Sequence, residues 1–179
     1  MVDPVSMTRA GHRALYVALS ALVLFVGMLP LSTLPASWPG PDILLALTIA
    51  WLLRRPEYVP ATAIVAIFLL QDLVTMRPPG LWTLIVLLGC EFLRARVVLV
   101  RDLPLMLEWA MVTTVMLAMF GLNRLVLALF MVPQAGFGPT VLQCVATAAA
   151  YPVIVGLSHL AFGIRKVAPG EVDALGHRV

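Results

Sequence analysis

Four carboxylic acids stand at the ends of apolar segments, where an acidic side chain could do chemistry: Asp42, Asp72, Glu91 and Glu108. A charged group near the apolar core of a membrane is costly, so each acid needs a partner or an aqueous face. An intramembrane protease would require a Ser/His set or paired aspartates at helix centres, whereas these acids stand at helix ends. We therefore expect a protein that is not an enzyme.

Asp72 is the acid whose position is hardest to explain locally. It lies at the C-terminal end of its predicted helix, where the helix dipole disfavours an anion. Arg77, a hydroxyl group or another protein could hold it, and a role in interaction stays open beside a structural one. Asp42 follows Pro41 directly and opens its own helix, where a carboxylate caps free backbone amides. For Asp42 we expect the structural role.

The other titratable residues favour packing roles. Glu91 and Arg94 are three residues apart, a spacing that pairs them on one helix face. Glu108 lies in the first turns of its helix, where the dipole favours an anion. Neither His159 nor the two cysteines stand at metal-ligand spacing from one another. Nucleotide-binding and hydrolase motifs are missing from the sequence as well, so we expect no metal and no cofactor.

The composition indicates that a membrane surrounds the elements that carry these residues. The chain has 179 residues, of which 61% are hydrophobic and 12% charged, with a mean hydropathy of +1.01. Soluble domains are about 45–50% apolar and about 25% charged. A water-soluble domain of this size needs a larger polar surface than this composition provides. We therefore predict an all-α polytopic membrane protein.

Six apolar segments predict one transmembrane domain, residues 1–179, built as a bundle of six helices. The predicted helices cover roughly residues 14–30, 42–55, 58–75, 80–94, 104–124 and 139–163, followed by a mobile cytoplasmic tail over 167–179. Crossing the hydrocarbon core takes about 20 residues, and the second and fourth apolar runs are shorter. They must snorkel their flanking arginines, thin the bilayer or lie inside the bundle. Residues 104–132 could form one long helix or a helix and an interfacial segment, and Pro152 should kink its helix without ending it.

The distribution of positive charge orients the chain. Of the twelve Lys and Arg residues, ten fall on one set of alternate connections, and only Arg77 and Arg124 fall on the other. Cytoplasmic loops carry the excess of Lys and Arg. The pattern predicts a multi-pass protein of the inner (cytoplasmic) membrane with both termini in the cytoplasm. Contact with anionic lipid explains the basic pI near 9.3 better than nucleic-acid binding does.

Two stretches carry a resemblance to a known family. Residues 41–57 begin with Pro-Asp and end with Arg-Arg-Pro-Glu, and residues 68–81 begin with Phe-Leu-Leu-Gln-Asp-Leu and end with Pro-Pro-Gly-Leu. In their order and expected topology they resemble the MreD family of rod shape-determining membrane proteins, over about residues 41–100. One departure is that the bulkier Leu69, Leu70 and Gln71 replace the small residue often found before the family's aspartate.

The resemblance implies a non-enzymatic subunit of the cell-elongation machinery. Such a subunit binds MreC and, through it, acts with MreB filaments, RodA and a class B penicillin-binding protein. On this basis Asp42, Asp72, Arg54, Arg55 and Arg77 are candidate partner-interaction or structural polar residues. The family's fold is similar to the six-helix S-components of energy-coupling-factor vitamin transporters. A substrate-binding S-component is therefore the alternative, and it should have a polar, aromatic-lined outer pocket.

Overall fold

The computed structural model describes residues 4–29, 40–101, 103–134 and 136–164, and all regular structure within them is helical. The seven α-helices are α1 Pro4–Met28, α2 Ile43–Arg54, α3 Ala61–Val74, α4 Leu81–Arg94, α5 Val97–Arg101, α6 Leu105–Leu129 and α7 Phe137–Phe162. A 3-10 turn, Pro56–Tyr58, connects α2 to α3. The all-α prediction is confirmed for these residues.

Three of these helices are long and apolar enough to cross a membrane. They are α6 with 25 residues, α7 with 26 residues, and the 22 residues Met7–Met28 of α1. At 1.5 Å per residue α6 extends about 38 Å, which exceeds the roughly 30 Å of a hydrocarbon core. Their length and composition indicate a helical membrane protein.

Helix α2 lies at the centre of the bundle. Every residue from Leu44 to Arg54 is buried, and its neighbours are α1, α4, α5, α7 and the 3-10 turn. A helix surrounded by protein has no need to match the thickness of the lipid. The 12 residues of α2, about 18 Å long, are therefore accommodated. Among the three ways to accommodate this short segment, burial inside the bundle is the one observed.

Helices α3 and α4 have 14 residues each and pack against one another. On α4 the residues Trp82, Ile85, Cys90 and Leu93 are buried, because they face the other helices. The opposite face exposes Leu84, Leu88 and Phe92 at four-residue spacing. A helix of a soluble protein would carry polar residues there, so this outward apolar face suits a lipid environment.

Side-chain hydrogen bonds attach α2 to two of its neighbours. The indole N–H of Trp51 donates to Ser158 Oγ on α7 at 3.1 Å, and the hydroxyls of Tyr16 on α1 and Thr48 are 2.9 Å apart. These groups are buried and could not otherwise be satisfied by water. Each bond thus fixes the rotation of α2 against a neighbouring helix.

The helix boundaries differ from the predictions in ways that have local causes. Helix α1 begins at Pro4, a residue suited to a first helical turn, well ahead of the apolar run. Helix α6 continues without a break to Leu129, which answers the question left open for residues 104–132. Pro152 lies inside α7 and does not end it, and the short α5 was not predicted. The predicted tail over 167–179 lies outside the described residues.

Candidate functional site

The carboxylate of Asp72 joins α3 to α4. Asp72 is fully buried at the C-terminal end of α3, and its Oδ2 accepts hydrogen bonds from three donors. These are the backbone N–H groups of Gly80 and Thr83, at 3.0 and 3.2 Å, and the Thr83 hydroxyl, at 2.8 Å. They lie at the start of α4, where free amides and the helix dipole favour an anion. Asp72 thus acts as the N-terminal cap of a different helix.

Arg77, one of the partners expected for Asp72, does not neutralise it. Among the ion pairs of the described residues none joins these two side chains. Their link is through the backbone, where the Arg77 amide donates to the Asp72 carbonyl at 3.0 Å. A hydroxyl, the second partner considered, is present as Thr83.

Asp42 caps α2, as its position after a proline predicted. Its Oδ1 accepts a hydrogen bond from the Leu45 amide at 3.0 Å, and the residue is 6% exposed. The Asp42 amide donates in turn to Thr147 Oγ1 on α7 at 2.9 Å. The predicted cap is confirmed, and it also fixes the start of α2 to α7.

Arg54 lies inside the bundle, where it forms a buried ion pair. Its Nη1 donates to Glu108 Oε1 on α6 at 3.0 Å, and the two side chains are 6% and 0% exposed. The same nitrogen lies 3.4 Å from the hydroxyl of Tyr151 on α7, and that hydroxyl donates to the same carboxylate oxygen. Three helices therefore meet through one arginine.

The burial of Arg54 decides against snorkelling for this residue, one of the three alternatives left open for the short second segment. Only Arg55 reaches the surface, where its guanidinium lies 3.7 Å from the Glu57 carboxylate. The partnership of Arg54 with Glu108 was missed because Glu108 was explained by its helix dipole alone. The sequence did contain a signal for this pair. An arginine within an apolar segment needs a carboxylate, and Glu108 lies on the same predicted side of the membrane as Arg54.

A cavity of about 630 Å³ lies beside the start of α2 and the end of α3. Asp42, Gln71, Arg77 and Gln143 contribute its polar groups, and residues of α1 form an apolar wall. Gln71 is 9% exposed, and its Oε1 has no hydrogen-bond partner among the described residues. This is the place where the structure brings two of the predicted residues together.

The five residues singled out from the sequence do not form one site. Asp42 and Arg77 line the same cavity, whereas Asp72 is engaged with the start of α4. Arg54 and Arg55 lie at the opposite end of α2 from Asp42. The five residues are thus distributed over both ends of the bundle, and three of them, Asp42, Asp72 and Arg54, connect helices.

Reactive and metal-ligating residues are dispersed in the described part of the chain. No group of three or more His, Cys, Asp or Glu there could hold a metal ion. Cys90 and Cys144 are buried free thiols. Glu91 forms the predicted pair with Arg94, at 3.0 Å.

Comparison with known proteins assigns no family. The chain matches no protein-family model, and no curated protein or solved structure is significantly similar to it. Its function must therefore be inferred from its own residues and contacts.

Proposed function

We propose that this chain is a six-span protein of the inner membrane that serves as a non-enzymatic scaffold subunit of a rod-shape elongation complex, as members of the MreD family do. In this proposal it binds MreC and helps to couple MreB filaments to peptidoglycan synthesis by RodA and its class B penicillin-binding protein. Both termini lie in the cytoplasm. The family likeness of residues 41–57 and 68–81 is the starting point.

The observation that carries the proposal is what the polar residues of those two stretches do. Asp42 caps α2 and holds it to α7, Asp72 caps α4 from α3, and Arg54 joins α2 to α6 and α7. A catalytic group needs access to a substrate, whereas these groups are buried and bonded to neighbouring helices inside the fold. Because the motif residues connect helices, they support a structural role for the protein and not a catalytic one.

The positions of the connections support six crossings. At one end of the bundle, Arg13 near the start of α1 donates to the Glu57 carbonyl at 2.8 Å, and Arg94 at the end of α4 donates to the Val59 carbonyl at 2.7 Å. At the other end, Asp72 binds Thr83 at the start of α4. Helices α1 to α4 therefore run in alternate directions between two sets of connections.

Capture of the tagged chain from native membranes tests the proposal. After crosslinking in intact cells, we expect MreC to be recovered with it and an unrelated multi-pass protein of the same membrane to recover none. Recovery of an energising ATPase in place of MreC would overturn the scaffold assignment.

The cavity of about 630 Å³ favours one second candidate, a substrate-binding S-component of a vitamin transporter. It combines a carboxylate, two carboxamides and a guanidinium with an apolar wall, as a small-molecule site does. No aromatic side chain is among its described lining residues. The aromatic lining expected for such a protein is found instead at a smaller cavity of about 290 Å³, which Trp82 and Phe120 line and Asp42 does not. A vitamin retained stoichiometrically through purification, and identified by mass spectrometry of the denatured sample, would favour this candidate over the scaffold.

A further inference from the structure

The two basic residues assigned to the outer side of the membrane meet at one cavity. Arg77, which follows α3, and Arg124, near the end of α6, both line a cavity of about 290 Å³ beside the start of α4. The other ten Lys and Arg residues are assigned to the cytoplasmic side, as is usual for membrane proteins. Residues far apart in the sequence thus place the two outer positive charges at a single location.

The walls of this cavity supply hydrogen-bond donors and no acid. Besides the two arginines, Asn123, Gln134 and Gln143 contribute carboxamides, and no Asp or Glu is among the described lining residues. Trp82 also lines it, is 1% exposed, and has an indole N–H without a hydrogen-bond partner in the described part of the chain. A donor buried in this way carries an energetic penalty that an acceptor on a ligand would remove.

The aromatic rings hold both guanidinium groups at the cavity. The Arg77 guanidinium lies over the Trp82 ring, 5.9 Å from its centroid, and that of Arg124 lies 5.3 Å from the centroid of Phe137. Arg124 also donates to Thr140 Oγ1 at 3.1 Å. Arginines oriented in this way present planar sets of donors, which suit phosphate and carboxylate oxygens.

An apolar groove continues from this cavity between the start of α4 and the end of α6. It has a volume of about 230 Å³ and shares Leu81 and Leu127 with the cavity, while Val126 and Phe130 line the groove alone. Phe130 is 71% exposed, so the groove opens at the outer surface of the bundle. A molecule with an anionic head and an apolar chain would match both parts.

We propose that the cavity and groove together bind one anionic phospholipid, with its negatively charged phosphate between Arg77 and Arg124 and an acyl chain against Val126 and Phe130. This goes beyond the scaffold function and differs from the contact with anionic lipid expected at the basic, cytoplasmic side. Only the assignment of the lipid to the outer leaflet rests on the topology given under the proposed function. The binding itself depends on residues of this chain and can be measured in detergent without any partner protein.

Native mass spectrometry of the full chain in detergent tests the assignment with three probes. Dioctanoyl phosphatidic acid carries the phosphate and chains, dioctanoyl phosphatidylcholine carries the same chains without net charge, and inorganic phosphate carries the head alone. We expect one phosphatidic acid per chain, bound at least about tenfold more tightly than either of the others, since both charge and burial contribute. Equal binding of the two lipids would show that the site does not recognise negative charge and would overturn the proposal. Inorganic phosphate bound as tightly as phosphatidic acid would show that the acyl chains contribute nothing, and would overturn the assignment of a lipid.

Variants then locate the bound lipid. Arg124→Gln and Arg77→Gln should each weaken phosphatidic acid binding about tenfold or more, and Val126→Trp should do so by filling the groove. Arg96→Gln is the matched control, because Arg96 is an exposed arginine stacked on Phe92 and lines neither the cavity nor the groove. Each variant is checked for an unchanged melting temperature. Because the three variants act on different walls, unchanged binding in those that fold would place the lipid elsewhere and overturn the proposal.

Discussion

Asp72 occupies the ends of two helices at once, and their dipoles act on it in opposite senses. At the C-terminus of α3 its charge is disfavoured, whereas at the N-terminus of α4 it is favoured. The three donors on its Oδ2 come from the α4 side, so the second effect is reinforced by hydrogen bonds. The carboxylate is therefore stable at the C-terminal end of α3 because it caps the N-terminal end of α4.

We predict that Asp72→Ala destabilises the fold, because it leaves the Gly80 and Thr83 donors buried without an acceptor. The expected loss is about 1–3 kcal/mol. Thermal unfolding in detergent measures it, with Thr83→Val as a graded control that removes one of the three hydrogen bonds. If Asp72→Ala melts like wild type while losing MreC, the carboxylate serves a partner and the capping account is wrong.

A second prediction concerns the buried pair of Arg54 and Glu108. Glu108→Ala should cost about 3–5 kcal/mol, since it leaves the guanidinium buried without its counter-charge. Arg55→Ala, which removes a partly exposed arginine from its 3.7 Å pair with Glu57, should cost only about 0–1 kcal/mol. Steady-state abundance and unfolding of both variants are measured in the same preparation.

The pair of substitutions Arg54→Met and Glu108→Leu sharpens this test. Replacing a buried ion pair by apolar residues of similar size is often neutral, so the double variant should recover most of the stability lost in Glu108→Ala. Failure of the double variant to recover would show that Tyr151, which shares the carboxylate, is the partner that matters.

At the scale of helices, Gly89 of α4 lies directly against Met119 of α6. A Cβ added to Gly89 would lie 2.7 Å from Met119 Sδ on α6, whereas one added to Gly121 would meet nothing within 4 Å. The end of the methionine can move aside for a methyl group but not for a larger side chain. The absence of a side chain at Gly89 therefore leaves the space that Met119 occupies.

We predict that Gly89→Leu destabilises the protein by about 1–3 kcal/mol through overpacking. Gly121→Leu, the same change on an open face of α6, should have little effect. Met119→Ala added to Gly89→Leu should restore part of the loss by making room. Unfolding in detergent reports all three, and equal melting of the two glycine variants would contradict a close approach at Gly89.

The sequence predicts the helices themselves better than it predicts which side chains pair between them. The existence of each long helix follows from an apolar run, and the cap at Asp42 follows from a proline and a carboxylate at a helix start. The pairing of Arg54 with Glu108 spans 54 positions and depends on how α2 and α6 are rotated about their axes. That rotation is decided by packing of whole faces, which local spacing does not encode.

For the whole molecule, the central prediction is that six helices cross the membrane. Cysteines placed at Met76 and Gln134 should react with an impermeant maleimide added outside, and cysteines at Glu57 and Val98 should react only after the membrane is opened. Cys90 and Cys144 are buried, so the native thiols provide an unlabelled background. Labelling of Glu57→Cys from outside would instead support four crossings with re-entrant segments.

The buried ion pair also has a consequence for how the protein is made. Arg54 emerges from the ribosome 54 residues ahead of Glu108, a delay of roughly 3–11 seconds at ordinary synthesis rates. During that interval α2 contains an arginine whose acidic partner in the finished structure, Glu108, has not yet been made. The nascent helix must wait at the translocon or in the headgroup region until α6 follows. A ribosome that stalls before residue 105 would leave a chain marked by an unsatisfied charge, which membrane proteases could recognise as incomplete.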